Sequence, residues 1–359
     1  MKCVAVVGMP VLLFLTISQM LYAGLYVYAI PGQAGKGSEK DYVQNVLGVK
    51  NVTVGEVGTP FRRIDFGQSN CMQYLKHEIM PMKKKAIIYA TSQGVATAVN
   101  YCATGGKEIQ GGIFESCMAS GNSTMMRYAT DLPGGKLLAK MPLVYYWLPY
   151  IAKVSYLFYK PWGVQPIKSV SKIKNRGPFI LIHSLDDNRL SYDDARALYY
   201  GLKQNGNIVY LISKPGKQHI NLVRKVNEKE DTLGGIDDQL QRHVQGILKK
   251  HGLLEGDDVP DVTDAELISY QPDVQDFQGT VYKKAYDDLL QKEELHTPSL
   301  QYYAAATAIG VGGVTLDLAW RVSYFMYGLL SRGKGIFPME KGDWSFEWNF
   351  YRDNIEEEL

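Results

Sequence analysis

The feature that most constrains this chain is a recurring alternation of short apolar runs and helical stretches. "LYVYAI" (25–30), "AIIYA" (86–90), "GGIFES" (111–116), "PFILIHS" (178–184) and "NIVYLIS" (207–213) are almost continuously apolar. Such runs, without polar alternation, predict strands covered on both faces. "FRRIDF" (61–66) is a further strand expected from the pattern. Helical segments are expected near 38–48, from Ser69 to about Ile79, over "SQGVATAVNYCA", over 191–206 and over 233–251. In the last of these, Ile236, Leu240, Val244, Ile247 and Leu248 fall on one face. Strands alternating with helices predict an α/β fold, a mostly parallel sheet with helices on both faces.

The 359 residues suffice for a large core without disulfide staples. Cys3, Cys71, Cys102 and Cys117 show no zinc or redox spacing, and buried thiols are the expectation. The formal net charge is only +2, which gives no electrostatic case for nucleic acid as a partner. His77, His243, His251 and His296 have no ligand spacing, so no metal is expected, nor any other cofactor.

Three regions follow. Residues 1–23 carry Lys2, then an uncharged and mostly apolar run ending at Ala23. This pattern predicts a secretory signal or membrane anchor, with a buried strand as the plainer alternative. An extracytoplasmic (secreted or periplasmic) or membrane-associated protein is the corresponding expectation. Residues 24–252 hold the alternating pattern. It is interrupted over about 120–165 by an aromatic stretch, "MPLVYYWLPYIAKVSYLFYKPW", broken by Pro142, Pro149 and Pro161 and expected to form a lid. Residues 253–359 comprise an acidic linker, a charged helix near 281–295 and an apolar segment at 302–330. Asp317 and Arg321 in that segment argue against a membrane span and for a helical extension docked on the main body.

The stretch "YATSQGVA" (89–96) carries the first chemical signal. A serine hydroxyl is a weak nucleophile that needs an adjacent base and an exposed position. A sharp strand-to-helix turn provides the exposure, with small residues two before and two after the serine, as in G-x-S-x-G. Ala90 and Gly94 take those places around Ser92. An N-cap serine is the alternative on this stretch alone. "ILIHSLDDNRLSYDDA" then places Asp186 and Asp187 after a strand, at the sheet edge where sites assemble, and "ISKPGKQHINL" places His219 after the last strand. The chain order is Ser, Asp, His.

With these pieces, residues 24–250 resemble an α/β-hydrolase fold. The stretch "FILIHSLDDNRLSYDDARALYYGLKQNGNIVYLISKPGKQH" is similar to the catalytic end of prolyl-oligopeptidase-type and related serine hydrolases. In that pattern Ser184 is the small residue after a histidine, Asp187 the acid and Leu190 the apolar position. The resemblance therefore implies Ser92 as nucleophile, His219 as general base, and Asp187 rather than Asp186 as the carboxylate behind it. It also implies an oxyanion hole from the amides of Gln93 and Gln33. The histidine common in the Gln33 loop is replaced here by Pro31, and the antiparallel strands that commonly open the fold find no counterpart. The implied activity is hydrolysis of a small-molecule ester, a thioester or a peptide bond through an acyl-enzyme. A non-catalytic, membrane-associated interaction protein on the same scaffold is the alternative.

Overall fold

A computed structural model describes residues 25–32, 41–44, 53–56, 72, 75–76, 86–131, 163–227, 232–255, 259–271 and 280–295. The expected signal or anchor at 1–23, the strand at 61–66, most of the lid stretch and the segment 302–330 lie outside these residues.

Six parallel strands form the main sheet: β1 (Tyr26–Ile30), β2 (Thr53–Glu56), β3 (Ala86–Thr91), β4 (Ile109–Glu115), β5 (Phe179–Ser184) and β6 (Val209–Lys214). Their spatial order is β2-β1-β3-β4-β5-β6. The order reverses once, between β1 and β3, which puts a switch point at the C-terminal ends of those two strands. Side chains alternate between two cores. Ile88, Ala90, Phe114, Phe179 and Leu181 pack on one face with helices α1 (Gln93–Ala103), α3 (Tyr192–Lys203) and α6 (Val281–Leu295). Ile87, Tyr89, Ile113, Ile180 and Ile182 pack on the other with α4 (Asp238–Lys250). Burial on both sides is the physical reason for the continuous apolar runs.

Between β4 and β5 lies α2 (Gly121–Asp131). β7 (Arg224–Asn227) and β8 (Thr232–Ile236) make a separate antiparallel pair. The sequence pattern extends the helix of 233–251 back over Ile236, but Thr232–Ile236 pairs as a strand. Asp237 then accepts from the Leu240 amide as the N-cap of α4. α5 (Asp264–Ile268) opens with a capping box made by Thr263 and Glu266. Among the described residues, no helix is long and apolar enough to cross a membrane.

Candidate active site

Ser92 is the single residue between β3 and α1, with φ 52° and ψ −119°. Positive φ is uncommon outside glycine and costs energy that the surroundings must offset. The surroundings of the elbow do so. The Ser92 amide donates to the Glu115 carbonyl at 2.9 Å, and the Ser92 carbonyl accepts from the Val95 amide at 3.0 Å. Gly94 lets the turn pass under the end of β1, since a Cβ there would stand 2.3 Å from the Ile30 carbonyl oxygen and 2.8 Å from that of Pro31. The Pro31-Gly32 turn lies against the elbow, with the Gly32 amide donating to Thr91 Oγ1 at 2.8 Å. Gln93, buried, opens α1, where first-turn amides point out of the positive end of the helix. Gln33 falls outside the described residues.

His219 sits on the loop after β6. Its Nε2 is 2.9 Å from Ser92 Oγ, and its Nδ1 is 2.9 and 3.0 Å from the two oxygens of Asp187. A proton on Nδ1, held by the carboxylate, leaves Nε2 as acceptor for the serine hydroxyl. Asp187 is buried, and its Oδ1 also accepts from the amides of Arg189 (2.8 Å) and Leu190 (3.0 Å). Burial pushes this carboxyl up. The hydrogen bond and charge interaction with His219, with the two amides, outweigh that effect and hold it below the usual carboxylate range. Asp186, its neighbour, is exposed and takes no part in this arrangement.

The loop carrying His219 is fixed by side chains from other elements. Ser116 Oγ donates to the His219 carbonyl, and Lys214 Nζ donates to the carbonyls of Leu222 and Arg224. Glu115 Oε2 accepts from the Leu222 amide at 3.2 Å and Oε1 from the Tyr42 hydroxyl at 2.7 Å. That hydroxyl in turn accepts from the Val223 amide at 3.0 Å. Burial raises the Glu115 carboxyl to about 7, against the lowering effect of these donors. The dipeptide Glu115-Ser116 thus touches both the elbow and the histidine loop. Sequence reasoning missed it, although a carboxylate ending an apolar strand at the sheet's C-terminal edge was the available signal.

The chain has an α/β-hydrolase fold: a parallel sheet with one order reversal and a serine elbow beside it. No family model matches the chain, and no curated protein matches it either. Among solved structures it is similar to an esterase of Pyrococcus furiosus, at 15% identity over 64% of this chain and 84% of that one, TM-score 0.41. It is similar also to a monoacylglycerol lipase of Paleococcus ferrophilus, at 17% identity over 62% and 94%, TM-score 0.38. A third is a thermophilic esterase of Thermogutta terrifontis, at 11% identity over 66% and 84%, TM-score 0.44.

Proposed function

We propose that the chain is a serine hydrolase that cleaves carboxylic esters, or the related thioester or peptide bonds, through an acyl-enzyme. The observation that carries this reading is the continuous relay from Ser92 Oγ through His219 to the buried Asp187, each step at 2.9–3.0 Å. Hydrogen-bond contact between nucleophile and base, with the base oriented by a third group, is the geometry that nucleophilic catalysis requires.

His219 Nε2 takes the Ser92 proton as Oγ attacks the carbonyl carbon. Asp187 stabilises the imidazolium without itself taking the proton. The amides of Gln93 and Gln33 hold the oxyanion. His219 then protonates the leaving group, and a water deprotonated by the same nitrogen releases the acyl group. Exposed apolar side chains at Leu185 (47% exposed) and Ile220 (44%), adjoining the acid and base segments, favour an apolar acyl or alcohol group. Export through residues 1–23 completes the proposal and is tested by fractionating cells that express the chain with and without them.

A fluorophosphonate probe on the full chain tests the chemistry. It should label Ser92, fail on Ser92→Ala, and compete with short acyl esters. Because triad members act as a unit, Ser92→Ala should lower ester hydrolysis by about 10⁴ or more. Labelling at another residue, or hydrolysis surviving in Ser92→Ala, would place the chemistry elsewhere.

A further inference from the structure

His183, on β5, is a second histidine at the same carboxylate, and the relay above does not use it. Its side chain and that of Asp187 are both 0% exposed, and its Nε2 lies 3.5 Å from Asp187 Oδ2. Its other nitrogen, Nδ1, accepts the Cys117 amide at 3.0 Å. A neutral imidazole that accepts at Nδ1 carries its proton on Nε2. The Cys117 amide therefore selects the tautomer whose N–H faces the carboxylate. Among the described residues this N–H makes no hydrogen bond of ordinary geometry; the Asp187 oxygen at 3.5 Å lies nearby, and the Leu190 backbone also acts on it as an acceptor. A buried N–H is costly unless it meets an acceptor. At 3.5 Å the interaction is chiefly that of an oriented dipole with a charge, and it is strengthened by the dry surroundings.

The neighbours keep His183 neutral. Burial is the largest effect and pushes it down to about 4. The carboxylate of Asp187 and the Leu190 backbone pull it up, while His219 and Arg127 push it down. Tyr192 presents a ring edge-on at 5.8 Å, and Cys117 is a buried thiol raised far above its usual range. A charged His183 would compete with His219 for Asp187; a neutral one donates without competing for a proton.

We propose that His183 is a positioning residue that acts through Asp187: a neutral N–H dipole, oriented by the Cys117 amide, that offsets part of the carboxylate's charge and so sets how strongly Asp187 holds the His219 Nδ1–H. The proposal rests on the reading of Ser92, His219 and Asp187 as a catalytic relay. Two amide variants separate it from a packing role. In His183→Asn the side-chain oxygen replaces Nδ1 as acceptor for Cys117, but position 183 no longer presents an N–H toward Asp187. In His183→Gln the amide nitrogen reaches the Nε2 position, but the acceptor for Cys117 is lost.

The measurements are the downfield proton resonance of the His219 Nδ1–H in the full chain, the pH profile of ester kcat/KM, and Tm. His183→Asn should move the resonance downfield, because a carboxylate with one donor fewer is a stronger acceptor. It should also shift the acid limb of the profile to higher pH by about half a unit or more. His183→Gln should return the resonance and the acid limb toward the native values. An unchanged resonance in His183→Asn overturns the proposal. So does parallel behaviour of the two variants in step with Tm, which would leave His183 a packing role alone. The resonance needs no turnover. A response to His183→Asn in a chain that hydrolyses no ester would keep this inference and remove the hydrolase reading.

Discussion

Ser92 occupies a backbone conformation that glycine adopts without strain and a residue with a Cβ does not. Ser92→Gly should therefore be more stable than Ser92→Ala by about 1 kcal/mol, the scale of such strain, although both lack the nucleophile. Comparing their Tm values checks this; equal values would mean that the elbow stores no strain. Gly94 is constrained in the opposite sense. A Cβ there meets the carbonyl oxygens of Ile30 and Pro31, which are backbone and cannot rotate away. Gly94→Ala should cost about 1–3 kcal/mol, as overpacking does, and denaturant titration measures it. The spacing of small residues around Ser92 was readable in the sequence because this contact is local to one turn. The burial of Asp187 and the exposure of Asp186 were not local facts. Only the choice of Asp187 over Asp186 came from the resemblance, and the amides of Arg189 and Leu190 that Asp187 accepts from give its physical reason.

At the scale of elements, the loop bearing His219 depends on β4 and on the helical turn holding Tyr42. Tyr42→Phe removes the hydroxyl that donates to Glu115 and accepts from the Val223 amide. Leaving those buried groups unmet should cost about 1–3 kcal/mol. Ester turnover should fall with it while Ser92 remains in place; fluorophosphonate labelling rate and Tm, measured together, report both effects. Long-range pairs of this kind explain what the sequence hid. Glu115 and Leu222 are 107 positions apart, and nothing near either one announces the other. Likewise "TVGE" at 53–56 has no strand signature, and its pairing with β1 makes it one. The strands of the central sheet were readable because burial on both faces imprints a continuous apolar run. The hairpin of β7 and β8, bearing charge and glycine, imprints none.

At the scale of the whole molecule, three carboxyls are buried: Glu115, Asp194 and Glu293. Burial raises each to about 7. Asp194 accepts from the Ala119 amide, and Glu293 accepts from Ser120 and Asn122, so both hold the start of α2. A carboxyl raised on folding binds its proton more tightly in the folded chain. Its contribution to stability is full below its unfolded value and is lost as pH rises toward about 7. Glu293→Gln carries no such proton. Relative to the native protein, the variant should gain stability progressively between about pH 4.5 and 7 and then level off. Urea titrations across that range check the sign, and a constant difference would show that Glu293 does not titrate on folding.

One contact at the margin of the sheet reaches beyond the site. β6 is the terminal strand, and its Leu211 amide donates to the carbonyl of Tyr270 at 3.0 Å. The stretch around Tyr270 thus takes a place that another strand would otherwise fill, while Ala285, Tyr286 and Leu289 of α6 complete one core. A chain cut after residue 252 would present an open row of hydrogen-bonding groups beside bare apolar surface, the template by which sheets recruit copies of themselves. Light scattering should find that shortened chain polymeric, and the stretch around Tyr270, with α6, then serves as a guard against self-assembly.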